Sequence, residues 1–380
     1  MDSQSDEMMN YRTDSYLEFL RYCLDDTQEV PECAKGIDWI KMMAWAEKQA
    51  IIGVIYGGIQ RAGKALDIPF DVLMEWIGYA SQIEFQNKLV NKRCVEVVEE
   101  FRKDGFECCI LKGQGNAMMY PNPLLRNPGD IDLLLSGPIR EIIRYVRGKH
   151  PNGRTVYHHI DYGLYKDIEV EVHYRPSFLN NLIANRRLQR WFDGRTESTE
   201  ITEMPDGAGK MTVPSWEFNV VFQLSHIYRH VIQSGLGLRQ VVDFYYLLKA
   251  NKESEEVRGS YRSAQGVKGQ YHETLSKLGL MEIGGAVMWV LKEVLGLEEK
   301  YLIVHLDERR GRFLLSEIME GGNFGQYDGR VSHDQGILSK NIRRLKRDIR
   351  LVNYFPSECI WEPVFRLCHF AWRVRHHEFA

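Results

Sequence analysis

Asp130-Ile131-Asp132 stands directly ahead of Leu133-Leu134-Leu135. The apolar run reads as a buried strand over residues 131–135, with Gly129 before it and Gly137-Pro138 after it. Alternate side chains of a strand share a face, so Asp130 and Asp132 project together while Ile131 and Leu133 enter the core. Two carboxylates side by side oppose each other's ionisation unless positive charge sits between them. The plain reading is a polar turn leading into a strand. The sharper one is a site for a divalent cation, and Mg²⁺ favours one or two carboxylates plus substrate phosphates.

The stretch K-D-I-E-V-E-V-H, residues 166–173, offers a third acid. Its alternation puts Glu169, Glu171 and His173 on one face of a strand and Val170 and Val172 on the other. If this strand neighbours the first, one glutamate completes a three-carboxylate cluster able to hold two metal ions. Upstream, a strand over residues 106–111 leads to Lys112, and Gly113 and Gly115 open a short helix over residues 113–120. Backbone N–H groups at such a turn suit phosphate, and Lys112 and Arg126 add positive charge. Pro121, Pro123 and Pro128 exclude regular structure over residues 120–129. Each piece alone is common; their order makes the pattern specific.

That pattern resembles the nucleotidyltransferase superfamily that includes DNA polymerase beta and, more narrowly, the bacterial group of uncharacterised nucleotidyltransferases. The resemblance rests on Lys112-Gly113, Tyr120-Pro121-Asn122-Pro123, Arg126, Asp130-Ile131-Asp132 and Glu171-Val172-His173, with residues 224–230 and 237–243 resembling the group's helical half. It implies metal-dependent transfer of an NMP from an NTP, with ATP first, to a hydroxyl or phosphate acceptor, releasing pyrophosphate. Asp130, Asp132 and Glu171 would be catalytic and hold two Mg²⁺ ions, with Mn²⁺ as a substitute. Lys112, Gly113, Gln114 and Arg126 would meet the nucleotide. The superfamily usually carries Gly-Ser or Gly-Gly at the turn. Here Gly113 is followed by Gln114, and the first acid lies 130 − 113 = 17 residues on. Lys112, Gln114 or Arg126 would then replace a serine hydroxyl at the phosphates.

Around this block the periodicity is helical. Residues 15–24, 39–62 and 72–103 carry apolar positions at helical spacing, as do 216–233, 238–250, 273–295, 311–320, 338–353 and 362–376. A helix follows Gly137-Pro138, and strands over residues 155–161 and 166–174 flank a turn at 161–163. The expected fold is α+β: a small polymerase-beta-like α/β core (residues 105–178) flanked by N-terminal (1–104) and C-terminal (179–380) helical regions. The polar stretch 251–269 reads as a mobile loop.

A formal net charge of −3 excludes a global basic field for nucleic acid. The expected partners are an NTP and a small-molecule or protein acceptor. An RNA acceptor would require the basic stretch 340–350 to face the cleft. Seven cysteines without a CxxC suit reduced thiols. The acidic first ten residues lack a signal-peptide pattern, no apolar run is long enough to span a membrane, and a cytoplasmic protein is expected.

Four helical residues are candidates for the acceptor side: His226, His230, Arg239 and Asp243. The histidines lie four apart without an H-E-x-x-H zinc motif, so a polar helix face packed on the core is the plain alternative. For Arg239 and Asp243 that alternative is an intrahelical ion pair. Residues 340–350 place Ile342, Leu345 and Ile349 at helical spacing, which predicts a helix packed on its apolar side with solvated charges. Trp361, Phe365, Phe370 and Trp372 read as core.

Overall fold

The structure is a computed structural model that describes residues 14–195, 199–258, 264–330 and 337–375. The leader read for a signal peptide lies outside the described residues, as does His376. Helix α1 (Ser15–Leu24) has the expected bounds, because the Asp14 carboxylate accepts the Tyr16 and Leu17 N–H groups at its first turn. The single helix expected over 39–62 is two, α2 (Trp39–Lys48) and α3 (Ile52–Ala62), broken at Ala50 with φ of 55°. Helix α4 (Phe70–Lys103) runs 34 residues, about 51 Å at 1.5 Å per residue.

The central sheet contains β1 (Cys108–Ile110), β2 (Ile131–Leu135), β3 (His159–Asp161) and β4 (Val170–His173), in the order β1-β2-β4-β3. β2 pairs antiparallel with β1 and parallel with β4, and β3 closes the edge antiparallel to β4. β2 is buried along its length because both faces are covered. Ile131, Leu133 and Leu135 pack with α4 and α6 (Ile139–Lys149), whereas Leu134 joins the helical core opposite. Asp132 faces the same way as Leu134, toward the helices.

Three local expectations change. Residues 155–161 are a tight hairpin, not one strand: Thr155 bridges to Ile160, and the Val156 N–H donates to the His159 carbonyl at 2.9 Å. The apolar alternation continues through the turn and hides it. β4 begins at Val170, which leaves Glu169 outside it. The helix after Gly113 is one turn, α5 (Gln114–Ala117), ending well short of Pro121.

The C-terminal region is not wholly helical. After α7 (Leu182–Asp193), β5 (Thr199–Glu203) and β6 (Lys210–Pro214) form an antiparallel hairpin, with β6 against β1. Then come α8 (Trp216–Gln233), α9 (Leu238–Arg258), α10 (Ala264–Leu278), α11 (Met281–Trp289), α12 (Glu308–Gly321), α13 (Ile337–Leu351) and α14 (Pro356–Arg375). The expected loop over 251–269 is largely helix, since α9 reaches Arg258 and α10 begins at Ala264; residues 259–263 lie outside the described residues. Gly279, with φ of 74°, separates α10 from α11 within the helix expected over 273–295. Leu17, Trp39, Phe222, Tyr246, Leu314 and Phe355 belong to one apolar cluster, so helices from both ends of the chain share a core. The α+β expectation holds: helices flank a small sheet. No helix among the described residues is long and apolar enough to cross a membrane.

Helix α13 sits the opposite way round from its expected orientation. Ile342, Leu345 and Ile349 are 47%, 60% and 64% exposed. Its basic side docks instead. Arg347 donates to the carbonyls of Gln233 and Ser234 at the end of α8, and Arg350 meets Glu317 at 2.8 Å. The unpaired carbonyls and negative dipole end of a helix C-terminus attract such a cation. On α14, Phe365 is buried and stacks on Phe178, but Phe370 is largely exposed, contrary to its reading as core.

Candidate active site

The pairing register assembles the acids. Asp132 on β2 lies opposite Glu171 on β4, and Glu171 lies opposite Asp161 on β3. In the adjacent row His173 faces His159. Asp132, Glu171 and His173 offer ligand atoms within 4.8 Å of one another, and so do His159, Asp161 and Glu171. Asp130 precedes β2 and stands beside the first group; Lys112 links it, with Nζ 3.9 Å from Asp130 and 3.1 Å from Asp132.

The loop delivering Asp130 is held from three helices. The Asn87 side-chain amide on α4 donates to the carbonyls of Leu124 and Arg126 at 2.6 and 2.8 Å. The Gly53 N–H on α3 donates to Asn127 Oδ1. From α9, the Arg239 guanidinium donates to the carbonyls of Asn127 and Pro128. Gly113 takes φ of 59°, a left-handed conformation glycine tolerates. A Cβ there would stand 3.4 Å from the Asp130 carbonyl, so the glycine turn and the acidic loop touch.

Charge at the site is tightly compensated. His173 Nδ1 donates to the Arg175 carbonyl, while Nε2 meets Asp132 at 2.9 Å and Glu171 at 3.2 Å. Both ring nitrogens thus face acceptors, the arrangement of an imidazolium. Burial alone would lower its pKa, but the two carboxylates outweigh burial and lift it to about 9. Burial would likewise raise Asp132, yet Lys112 and His173 hold it well below the usual carboxylate range. Asp130 shifts upward, chiefly from Asp132 beside it. Glu171 shifts down, its burial outweighed by the bond to His173. Burial opposes the charge on Lys112, but Asp130, Asp132 and Glu171 raise its pKa.

The expected nucleotide contacts divide. Lys112, Gly113 and Arg126 line a small pocket with Asp130. Gln114 is buried and turned away, its side-chain amide donating to Asn87 and Asn91 on α4. Arg126 is engaged with Asp243, Nε to Oδ1 at 2.7 Å and Nη2 to Oδ2 at 2.8 Å, and the Tyr120 hydroxyl donates to the same carboxylate at 2.6 Å. The intrahelical Arg239–Asp243 pair is thereby replaced: Asp243 takes Arg126, whose guanidinium fits both its oxygens.

His226, Arg239 and Asp243 line the same pocket as Lys112 and Gly113. His230 stands behind His226, with Nε2 atoms 2.9 Å apart. Arg229 donates to His226 Nδ1, which leaves His226 Nε2–H to donate to His230 and His230 Nδ1–H to donate to Ser234 Oγ. Burial keeps both histidines neutral, their pKa values well below the ordinary one. This is a hydrogen-bonded relay, with no carboxylate or thiolate in it.

Reading the sequence missed Arg229 and Asp161, and it found no ligand geometry at His158-His159, which the fold places among candidate ligand groups. Arg229 bridges His226 and His158 under the acids; its signal was a cation three residues after His226 on α8. Asp161 was read as part of a turn, because the hairpin at 155–160 was read as a strand. A cavity of about 1150 Å³ lies on this side, walled by the β3 edge and by α13 and α14, with His159, Asp161 and Glu171 on one wall and Arg344, Arg366 and Arg373 on another.

Taken together, a glycine turn, Asp130 just ahead of the central strand, Asp132 on it and Glu171 across the parallel partner stand side by side on an α+β fold. The chain belongs to the uncharacterised nucleotidyltransferase family, whose model matches residues 35–263. Among solved structures it is similar to an antigenic nucleotidyltransferase-like protein from Paracoccidioides brasiliensis, at 13% identity and a TM-score of 0.28, over 43% of this chain and 76% of that one. No curated protein matches the chain.

Proposed function

We propose that the protein is a metal-dependent nucleotidyltransferase that moves an NMP from an NTP, ATP first, onto a hydroxyl or phosphate of a small-molecule or protein acceptor. The observation that carries this reading is the register opposing Asp132 and Glu171, with Asp130 linked to Asp132 through Lys112. The donor set fits a divalent cation: Asp132 and Glu171 converge with His173, Asp130 stands beside them across Lys112, and buried Asp132 Oδ2 has no hydrogen bond among the described residues, only the Lys112 ammonium facing it. Asp130, Asp132 and Glu171 would hold Mg²⁺, or Mn²⁺ in its place. Such ions, when bound, neutralise the triphosphate and polarise the reacting oxygens.

The chain's own groups account for the rest. Lys112 moves from the acids to a phosphate, and Arg239 and Arg229 keep the surroundings positive. As the acceptor oxygen bonds to the α-phosphorus, the bond to pyrophosphate breaks, and a hydroxyl acceptor's proton passes to Glu171. His173 orients Asp132 and Glu171. The large cavity beside Glu171 has room for a nucleotide-sized molecule; ligand pockets commonly enclose about 300–1,000 Å³. Arg344 of the basic helix faces that cavity, which keeps a nucleic-acid acceptor within the test. All seven cysteines are free thiols, which supports placing the protein in the cytoplasm.

A second reading is a nucleotide-binding or scaffolding protein on the same fold. It is favoured by Lys112 and His173 already compensating the acids, and by Gln114 facing α4. Incubation of a cell extract with the protein and labelled ATP, read by mass spectrometry, separates the two. A nucleotidylated product that Asp130→Asn/Asp132→Asn abolishes supports transfer. NTP binding without any product supports the scaffold.

A further inference from the structure

The acids of the catalytic edge extend one strand beyond the set used above. Asp161 stands across from Glu171, and His159, two residues earlier on β3, stands across from His173 on the same face. His159 Nδ1 lies 3.0 Å from Glu171 Oε2 and Nε2 lies 3.3 Å from Asp161 Oδ1. One ligand atom each from His159, Asp161 and Glu171 can be chosen with all three within 4.8 Å of one another. Ligands about 2.1 Å from a common ion stand roughly 3–4 Å apart, so little movement separates this trio from coordination.

Three observations distinguish it from ordinary paired side chains. All three residues line the 1150 Å³ cavity, so a hydrated ion has a path in and keeps positions for outside oxygens. Neighbouring His158 is 9% exposed; its Nε2 accepts from Arg229, so its Nδ1 carries the proton, and that N–H has no hydrogen-bond partner among the described residues, which leaves a buried donor in the cavity lining for an oxygen of a lodged molecule. The donor chemistry also differs from that of Asp130 and Asp132: an imidazole nitrogen with two carboxylate oxygens suits Mn²⁺, Co²⁺ or Zn²⁺, whereas Mg²⁺ takes oxygen ligands.

We propose that His159, Asp161 and Glu171 form a second cation site, selective for a nitrogen-accepting transition ion and open to the large cavity. It rests on the reading of Glu171 as a metal-binding carboxylate, which it shares with the oxygen-only set at Asp130 and Asp132. An ion here places its open positions toward the cavity, where it takes an oxygen of the molecule lodged there. The chain thereby carries a hard and a borderline site side by side on one sheet edge.

The test uses the full chain with Mn²⁺ alone, no nucleotide, read by pulsed electron paramagnetic resonance. Wild type should show ¹⁴N modulation from a coordinated imidazole. His159→Ala should lose it, and Asp161→Asn should weaken Mn²⁺ binding at least about tenfold. Asp161 is half-exposed, so its substitution leaves the fold intact, as a matching circular dichroism melt should verify. Asp130→Asn should leave the ¹⁴N signal in place. Absence of ¹⁴N modulation in wild type, or its persistence in His159→Ala, overturns the proposal. Absence of NTP turnover in a wild-type protein that shows the ¹⁴N signal counts against the transferase reading and leaves this site standing.

Discussion

Removing either member of the Arg126–Asp243 pair should destabilise the protein far more than it alters nucleotide binding. The two side chains are 5% and 6% exposed and share two charge-assisted hydrogen bonds. Each such bond contributes about 1.5–3 kcal/mol, and an isolated buried charge left by a single substitution costs about 3–5 kcal/mol. Arg126→Met and Asp243→Asn should therefore each cost about 3–5 kcal/mol in urea unfolding followed by tryptophan fluorescence. Arg126→Met/Asp243→Leu removes both charges and should cost clearly less than the sum of the singles, since neither partner is then stranded. NTP affinity, measured by calorimetry on the folded fraction, should change little in Arg126→Met. If Arg126→Met unfolds within about 1 kcal/mol of wild type yet loses NTP binding, Arg126 is a phosphate ligand and the stabilising role of its pair with Asp243 fails.

Other outcomes follow from single contacts. A Cβ at Gly53 would fall 1.9 Å from the Leu125 carbonyl, so Gly53→Ala must push the Asp130 loop aside, lowering both the melting temperature and metal-dependent NTP binding. Gly113→Ala forces an L-residue to φ of 59° and should cost about 1–2 kcal/mol, read by denaturant titration. Buried Glu358 accepts the N–H groups of Asn180 and Asn181, but burial outweighs them and pushes its pKa up to about 7. Below about pH 4.5 both folded and unfolded states hold the proton. Between there and pH 7 only the folded state does, so stability should fall by about 3 kcal/mol as pH rises through that window, then level off. Glu358→Gln should flatten that component in a pH series of urea midpoints, and an unchanged slope would refute it.

The elements most visible in the sequence are those with a local cause. β2 and α1 have their expected bounds because an apolar run and an Asp cap act within a few residues. Strand alternation identified the faces of Asp132 and Glu171, whereas Asp130 lies ahead of β2 and the register across the sheet is a tertiary fact. The break at Ala50 was hidden, since alanine is no turn signal and takes positive φ only under the surrounding packing. Periodicity also identified α13 as amphipathic while misjudging which side docks. That choice depends on the carbonyls of α8 and on Glu317, more than thirty residues away. Gln114 reads as a polar turn residue facing a ligand until Asn87 and Asn91 are known to wait beneath it.

Helix α4 gives the molecule a mechanical unity that the separate patterns conceal. Its first turns are anchored among the helices by Val72, Trp76 and Ile83, and its last by Val90, Cys94 and Phe101 under the sheet. Between them, Asn87 grips the loop that leads to Asp130. Neither core can melt without releasing one end of this rod, so the sheet and the helical body should lose their amide protection together. The acidic edge would then last as long as the whole rod stays folded, and damage in the distant helices would reach it as loss of grip at Asn87.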